Sequence, residues 1–297
     1  MTVNTFGTLK TSIANTAKRS DLTTEIPDFI QRAENRMWRL LRVRAMETQG
    51  RMIWKADVPV TATGVAGTAN AITLAPSTAA TAYAFADSYT FTAEGTNTST
   101  VTVDVSSLGA KDVKKRFEGV VEALAAGDIR EGANYRVYYD GTQFLLAPAA
   151  AALLPTDFIA LRSRWVDASS RRLEFMTPDL FWQSQVADEV GNPEAATIEG
   201  DWLIVGPAPD ATYTARLDYY RKMTALSADG DTNVLLTNSH EVYLYGALVE
   251  LAQAKKMLDE ALGWSVRFDD VVQDLNAIAQ RGQFPSAPIM RSEVPVT

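Results

Sequence analysis

The chain has 297 residues, 46% apolar and 22% charged, a balance that fits two folded domains. With no cysteine and one histidine, disulfides, Cys-based zinc sites, Cys nucleophiles and His-rich metal centres are excluded. The formal charge of −8 is uneven, since residues 1–59 carry a net +4, residues 60–150 a net −3 and residues 151–297 a net −9; a basic opening on an acidic body marks contact with nucleic acid or an acidic protein surface.

Residues 5–19 predict a short helix, with Phe6, Leu9, Ile13 and Ala17 at helical spacing. Ser20 and Asp21 then supply a stop and a new N-cap. In the helix that follows, Leu22, Ile26, Phe29, Ile30, Ala33, Met37, Leu40 and Leu41 form one apolar stripe. Pro27 fits only near its first turn. Arg32, Arg36 and Arg39 fall at i, i+4 and i+7, on a face away from that stripe, and Arg42 and Arg44 come past the helix end.

From Val43 to Val60 the apolar spacing shortens to that of strand and loop. Residues 61–107 turn rich in Thr, Ala, Gly, Ser and Asn, and TVTVDV (100–105) alternates as a half-buried strand. VKKRFEGVVEALAAG (113–127) predicts a helix through Phe117, Val120, Val121 and Leu124 that stops at Gly127. NYRVYYDGTQFLLAP (134–148) predicts a hairpin turning at Asp140-Gly141. The block 61–150 thus reads as a self-contained β-rich module. Beyond it, FIALRSRWVD (158–167) and RRLEFMT (171–177) read as strands joined at Ser169-Ser170, and Pro178–Val186 as a short helix. ATIEGDWLIVGPAPD (196–210) reads as a hairpin turning at Gly200-Asp201, and TYTARLDYYRK (212–222) as a strand. Two helices, from Ser239 and from Asp259, close the fold; the second aligns Trp264, Phe268, Val271, Val272, Leu275 and Ile278. The Pro-rich last residues, 283–297, read as an extended tail.

No window holds the roughly 18 apolar residues of a membrane span. The first twenty residues lack a basic stretch followed by an apolar run, so no signal peptide is expected, and a cytoplasm-like compartment is.

Sites for chemistry are scarce. His240 stands at a helix start with no nucleophile or orienting group near it in sequence. There is no Gly-rich phosphate loop and no G-x-S-x-G elbow. The pairs Asp188-Glu189 and Asp269-Asp270 read as solvated faces. Neither a catalytic role nor a cofactor is expected. The arginine face is the informative feature: Arg36, Arg39 and Arg42 have no acid four residues earlier to pair with, and arginine suits interface ion pairs and phosphates.

Five stretches occur in a telling order: RSDLTTEIPDFIQRAENRMWRLLRVRAMET (19–48), LLPTDFIALRSRWVD (153–167), RRLEFMTPDLFWQ (171–183), YTARLDYYRKMTALS (213–227) and TNVLLTNSHEVYLYGALVELAQAKKMLDEALGW (232–264). Together they resemble the head-to-tail adaptor (connector) proteins of tailed bacteriophages, over about two-thirds of the chain. In that family the strand after the basic helix runs almost directly into the LPxDF strand; here residues 61–150 intervene. Through NTSTVTVDVSSLGAKDVKK and ALAAGDIREGANYRVYYDGTQFLL that block resembles modules of phage tail-fibre and tail-associated proteins.

The resemblance implies an α+β protein: a helical adaptor core with a small antiparallel sheet, residues 1–60 and 151–282, an inserted β-rich module, 61–150, and an extended tail, 283–297. It implies a non-enzymatic virion protein at the head-tail junction. Such a protein forms a homo-oligomeric ring, usually a dodecamer, under the portal. It extends the DNA channel and offers a platform to tail or nozzle proteins. The tail, through Phe284, Pro285, Ile289 and Met290, is then expected to reach the portal. Arg32, Arg36 and Arg39 are expected to meet protein, and Arg42 and Arg44 to touch packaged dsDNA in passing, because tight phosphate binding would hinder DNA sliding. A glycan- or receptor-binding virion protein that acts through residues 61–150 is the alternative, and a cell-wall hydrolase, for which no motif is found, a third.

Overall fold

A computed structural model of the chain describes residues 2–19, 21–56, 58–59, 65–162, 165–168, 172–184 and 190–283. The expected Ser169-Ser170 turn and the tail residues Phe284, Pro285, Ile289 and Met290 lie outside them.

The chain opens with helices α1 (Phe6–Ala17) and α2 (Ile26–Leu40), then enters β1 (Glu47–Trp54). There follow β2 (Val58–Pro59), β3 (Val65–Thr68), β4 (Ala71–Leu74), β5 (Ser88–Thr92), β6 (Val101–Val105), β7 (Lys111–Phe117), β8 (Val120–Ala123), β9 (Asn134–Tyr139) and β10 (Phe144–Leu146). Next come β11 (Ala151–Leu153), β12 (Phe158–Leu161), β13 (Trp165–Ala168), β14 (Arg172–Phe175) and helix α3 (Pro178–Gln183). The strands end with β15 (Val190–Gly191), β16 (Ala195–Glu199), β17 (Trp202–Gly206), β18 (Ala208–Pro209) and β19 (Tyr213–Arg221). Helices α4 (Val234–Asn238), α5 (His240–Ala254) and α6 (Leu258–Gln283) complete the described chain. By contacts it divides into two compact units, Met1–Thr48 with Tyr220–Thr297, and Gln49–Tyr219.

The expected fold class does not hold. In place of a helical core with one small antiparallel sheet, the chain is mostly β, and its described residues form an eight-stranded and a nine-stranded sheet and a two-stranded ribbon beside six α-helices. The eight-stranded sheet runs β1-β19-β13-β14-β16-β17-β11, with β12 also on β19. It is mixed, because β14 and β16 pair in parallel. The nine-stranded sheet is mixed too, with β2–β5, β4–β6 and β7–β10 parallel. The physical reason is range. Each hairpin shows in the local pattern, but pairings such as β1 with β19 join strands far apart in the chain, and no local period records them.

The helix expected over 113–127 is instead the β7–β8 hairpin, paired Phe117↔Val120 across the two-residue turn Glu118-Gly119. Both turn residues have positive φ, 49° and 82°, as the right-handed twist of a tight hairpin requires. Of the stripe that suggested a helix, Phe117, Val120 and Val121 are exposed, and Leu124, past the end of β8, is buried.

Three apolar clusters build the strand-rich unit. One fills the nine-stranded sheet around Val103, Val137 and Phe144, and a second lies on the eight-stranded sheet around Trp54, Leu173 and Leu217. The third joins Ala86, in the turn before β5, and Tyr138 and Leu145 of the first sheet to Ala151, Phe181, Trp202 and Ile204. At its centre Tyr138 meets Trp202 edge-on, ring centroids 5.7 Å apart, a favoured aromatic geometry. The Gly200-Asp201 turn adds polar ties, as Asp201 accepts the Gly119 N–H at 2.8 Å and lies 3.5 Å from the Arg116 guanidinium. Truncating Trp202 to Ala is expected to destabilise this unit by about 3–5 kcal/mol. Both sheets should then melt together in urea followed by circular dichroism; two separated transitions would show that the third cluster couples nothing.

In the helical unit, α5 is the element the others wrap. Val242, Tyr243, Ala247, Leu248, Val249, Leu251 and Ala252 are buried, on nearly all sides of the helix, as expected of a helix inside a bundle. Helix α6 packs on it and buries Ala261, Phe268, Val272 and Ala279. Gly246 sets the spacing: a β-carbon there would lie 3.1 Å from Ala33 Cβ of α2 and 3.1 Å from the Phe268 ring of α6. Gly246→Val is expected to cost about 1–3 kcal/mol through overpacking. In Gly246→Ala that strain is offset by about 1 kcal/mol of gained helix propensity. Urea midpoints of the two variants check the difference; equal midpoints would show that the contact has room to spare.

Candidate interaction sites on the helical unit

Helix α2 buries Ile26, Phe29, Ile30, Ala33, Glu34, Met37 and Trp38, which turns the arginine row away from the core. The row does not behave as one surface. Arg32, Arg39 and Arg44 are exposed and have no ion-pair partner among the described residues. Arg36 is half-buried against α6, its guanidinium 4.9 Å from the Phe268 ring centroid and 3.8 Å from Asp269. It therefore joins two helices of its own chain. Arg42 closes the end of α2: its Nη1 donates to the carbonyls of Trp38, at 2.9 Å, and of Leu41, the side where the helix dipole favours a cation.

Asn276 of α6 completes that closure, and sequence reasoning missed it. Its Oδ1 accepts the Arg42 N–H at 2.9 Å, and its Nδ2 donates to the Leu40 carbonyl at 3.0 Å. Its only signal was a polar residue between Leu275 and Ile278 on an otherwise apolar stripe. Of that stripe, Phe268 and Val272 are core, while Ile278 is exposed.

Beside this junction lies an apolar pocket of about 290 Å³. Val43 and Ala45 form one wall, Val234 and Leu235 of α4 a second, and Leu275 and Ile278 of α6 a third. Val234 and Ile278 are 53% and 64% exposed, large values for residues that belong in a core. Asn233 fixes the α4 wall: it accepts the Leu236 N–H as an N-cap, at 2.8 Å, and donates to the Tyr243 hydroxyl, also at 2.8 Å. His240 is the first residue of α5, with no catalytic partner placed beside it among the described residues. Among those residues no cluster of His, Cys, Asp or Glu could hold a metal ion, and no helix is long and apolar enough to cross a membrane.

Among the described residues Glu34 is the one carboxylate buried in the bundle, 3% exposed, with a single hydrogen bond from the Leu226 N–H at 3.2 Å. Burial pushes its pKa up to about 7, against the opposing pull of that bond. The folded chain thus keeps a proton that the unfolded chain gives up near 4.5. The contribution of Glu34 to stability is therefore greatest below pH 4.5, falls as the pH rises to about 7, and then levels. The loss is on the order of 3 kcal/mol. Glu34→Gln keeps the acceptor and removes the charge, so it should gain on the order of 2–3 kcal/mol at pH 8 and almost nothing at pH 4. Urea unfolding at both pH values checks this; a Gln variant with the parent's pH slope would assign the slope to other groups.

No curated protein matches the chain. Its residues 4–153 and 123–291, which together span nearly all of it, match the family described as SU10 adaptor protein. The chain belongs to the SU10 adaptor protein family, structural adaptor proteins of bacteriophages.

Proposed function

We propose that this adaptor works at the head-tail junction as a ring of identical copies under the portal, where it extends the DNA channel and gives tail or nozzle proteins a platform. In this reading residues 1–60 and 151–282 form the adaptor body, 61–150 an insertion into it, and 283–297 a tail that meets the portal through Phe284, Pro285, Ile289 and Met290. The observation that carries the reading, beside the family, is the charge left unmatched on α2. Arg32 and Arg39 are exposed and have no partner within the described chain, while the acidic part of the protein offers partners to them in a neighbouring copy. Arg36 contributes by fixing α2 against α6. Arg44, exposed past the helix end, is the residue left to touch DNA in passing, since Arg42 is engaged with backbone carbonyls. Sparse contact of this kind suits a channel through which DNA must slide, because each phosphate neutralised adds affinity.

Size measurement of the protein mixed with its portal tests the ring: assembly into one large complex is expected, and a chain that stays monomeric with portal present refutes it. Arg32→Ala with Arg39→Ala should raise the concentration for half-assembly severalfold, from about 0.2–1 kcal/mol per lost pair. The effect should shrink as salt screens the pairs. A variant that assembles normally and loses only retention of packaged DNA would place the row on the channel wall.

A further inference from the structure

We propose that the apolar pocket between α4, α6 and residues 43–45 is the seat of the chain's own C-terminal segment, filled by Ile289 and Met290. The pocket stands open with apolar walls, and Val234 and Ile278 keep more than half of their surface in solvent. Covering them recovers roughly 25 cal/mol for each Å² removed from water. The volume, about 290 Å³, suits two side chains of medium size.

Chain continuity selects the occupant. The α6 wall runs from Leu275 to Ala279, and the helix ends at Gln283. At 1.5 Å per residue, Gln283 lies only about 12 Å past Leu275. Six extended residues cover about 20 Å, so a segment that doubles back after Phe284 and Pro285 brings Ile289 and Met290 level with the wall. Pro285 and Pro288 disfavour a further helical turn, and neither presents an N–H that would need a partner against an apolar surface. A tethered segment meets its own pocket at an effective concentration in the millimolar range, above that of any untethered rival at ordinary protein concentration.

The consequence rests on the adaptor reading. The residues that reach for the portal are covered until it is present, and the portal has to compete them out of the pocket. The seat protects an adhesive tail in the free protein and makes its release depend on the partner.

The absence of cysteine allows a direct test on the full-length protein without portal. Asn238→Cys, on the exposed rim of the pocket, is paired with Arg291→Cys, next to Met290, and oxidised in dilute solution. An intramolecular disulfide should form at least tenfold faster than in a control pairing Arg291→Cys with Thr23→Cys, before the start of α2. Ile289→Ser with Met290→Ser should bring the rate back toward the control. Equal rates in pocket and control pairs overturn the proposal. Disulfide-linked dimers in place of the internal bond overturn it as well and give the pocket to a second copy. Because no portal enters the experiment, its failure leaves the ring reading standing, and failure of the ring leaves this result intact.

Discussion

The helical unit depends on the close approach of three helices at one residue without a side chain. At Gly246 in α5, Ala33 of α2 and the Phe268 ring of α6 both close on the space a β-carbon would take, so α2 and α6 both lie tight on α5. That closeness brings Arg36 over the Phe268 ring and lets the short Asn276 side chain reach the end of α2. A wider spacing would leave the α2 carbonyls to water and Arg36 free. The division of labour within the arginine row, two residues holding the chain together and three presented outward, follows from this spacing.

The polar groups inside the bundle follow from the same compactness. Asn233 and Tyr243 satisfy one another and cap α4, while Glu34 has a single donor and retains its proton up to about pH 7. A buried carboxyl of this kind weakens the unit at neutral pH.

Much of this was legible in the sequence, and its limits have physical causes. The terminal helices declared themselves through apolar periodicity, and the β9–β10 and β16–β17 hairpins through Asp-Gly and Gly-Asp turns. The small-sheet expectation failed because sheet size depends on pairings between distant strands. Residues 113–127 were misread because Phe117, Val120, Val121 and Leu124 suit helical spacing, while the Glu118-Gly119 turn that makes them a hairpin was counted as helix interior. The arginine row was found, but that Arg36 and Arg42 are internal fasteners depends on Phe268 and Asn276, more than two hundred residues away. The pocket had no signal at all, since it is a gap between elements and not a property of any one of them.

The β7–β8 hairpin has a bearing on how the chain avoids aggregation. All four residues of β8 are exposed, and β7 is the strand it pairs with, so valines 120 and 121 border an open ladder edge of the sort that recruits stray strands. The edge is guarded by charge: Lys115 stands directly across from Glu122, and Lys115 also holds Asp128 at 3.0 Å. The strand thus carries gatekeepers where uncontrolled cross-β association would otherwise begin.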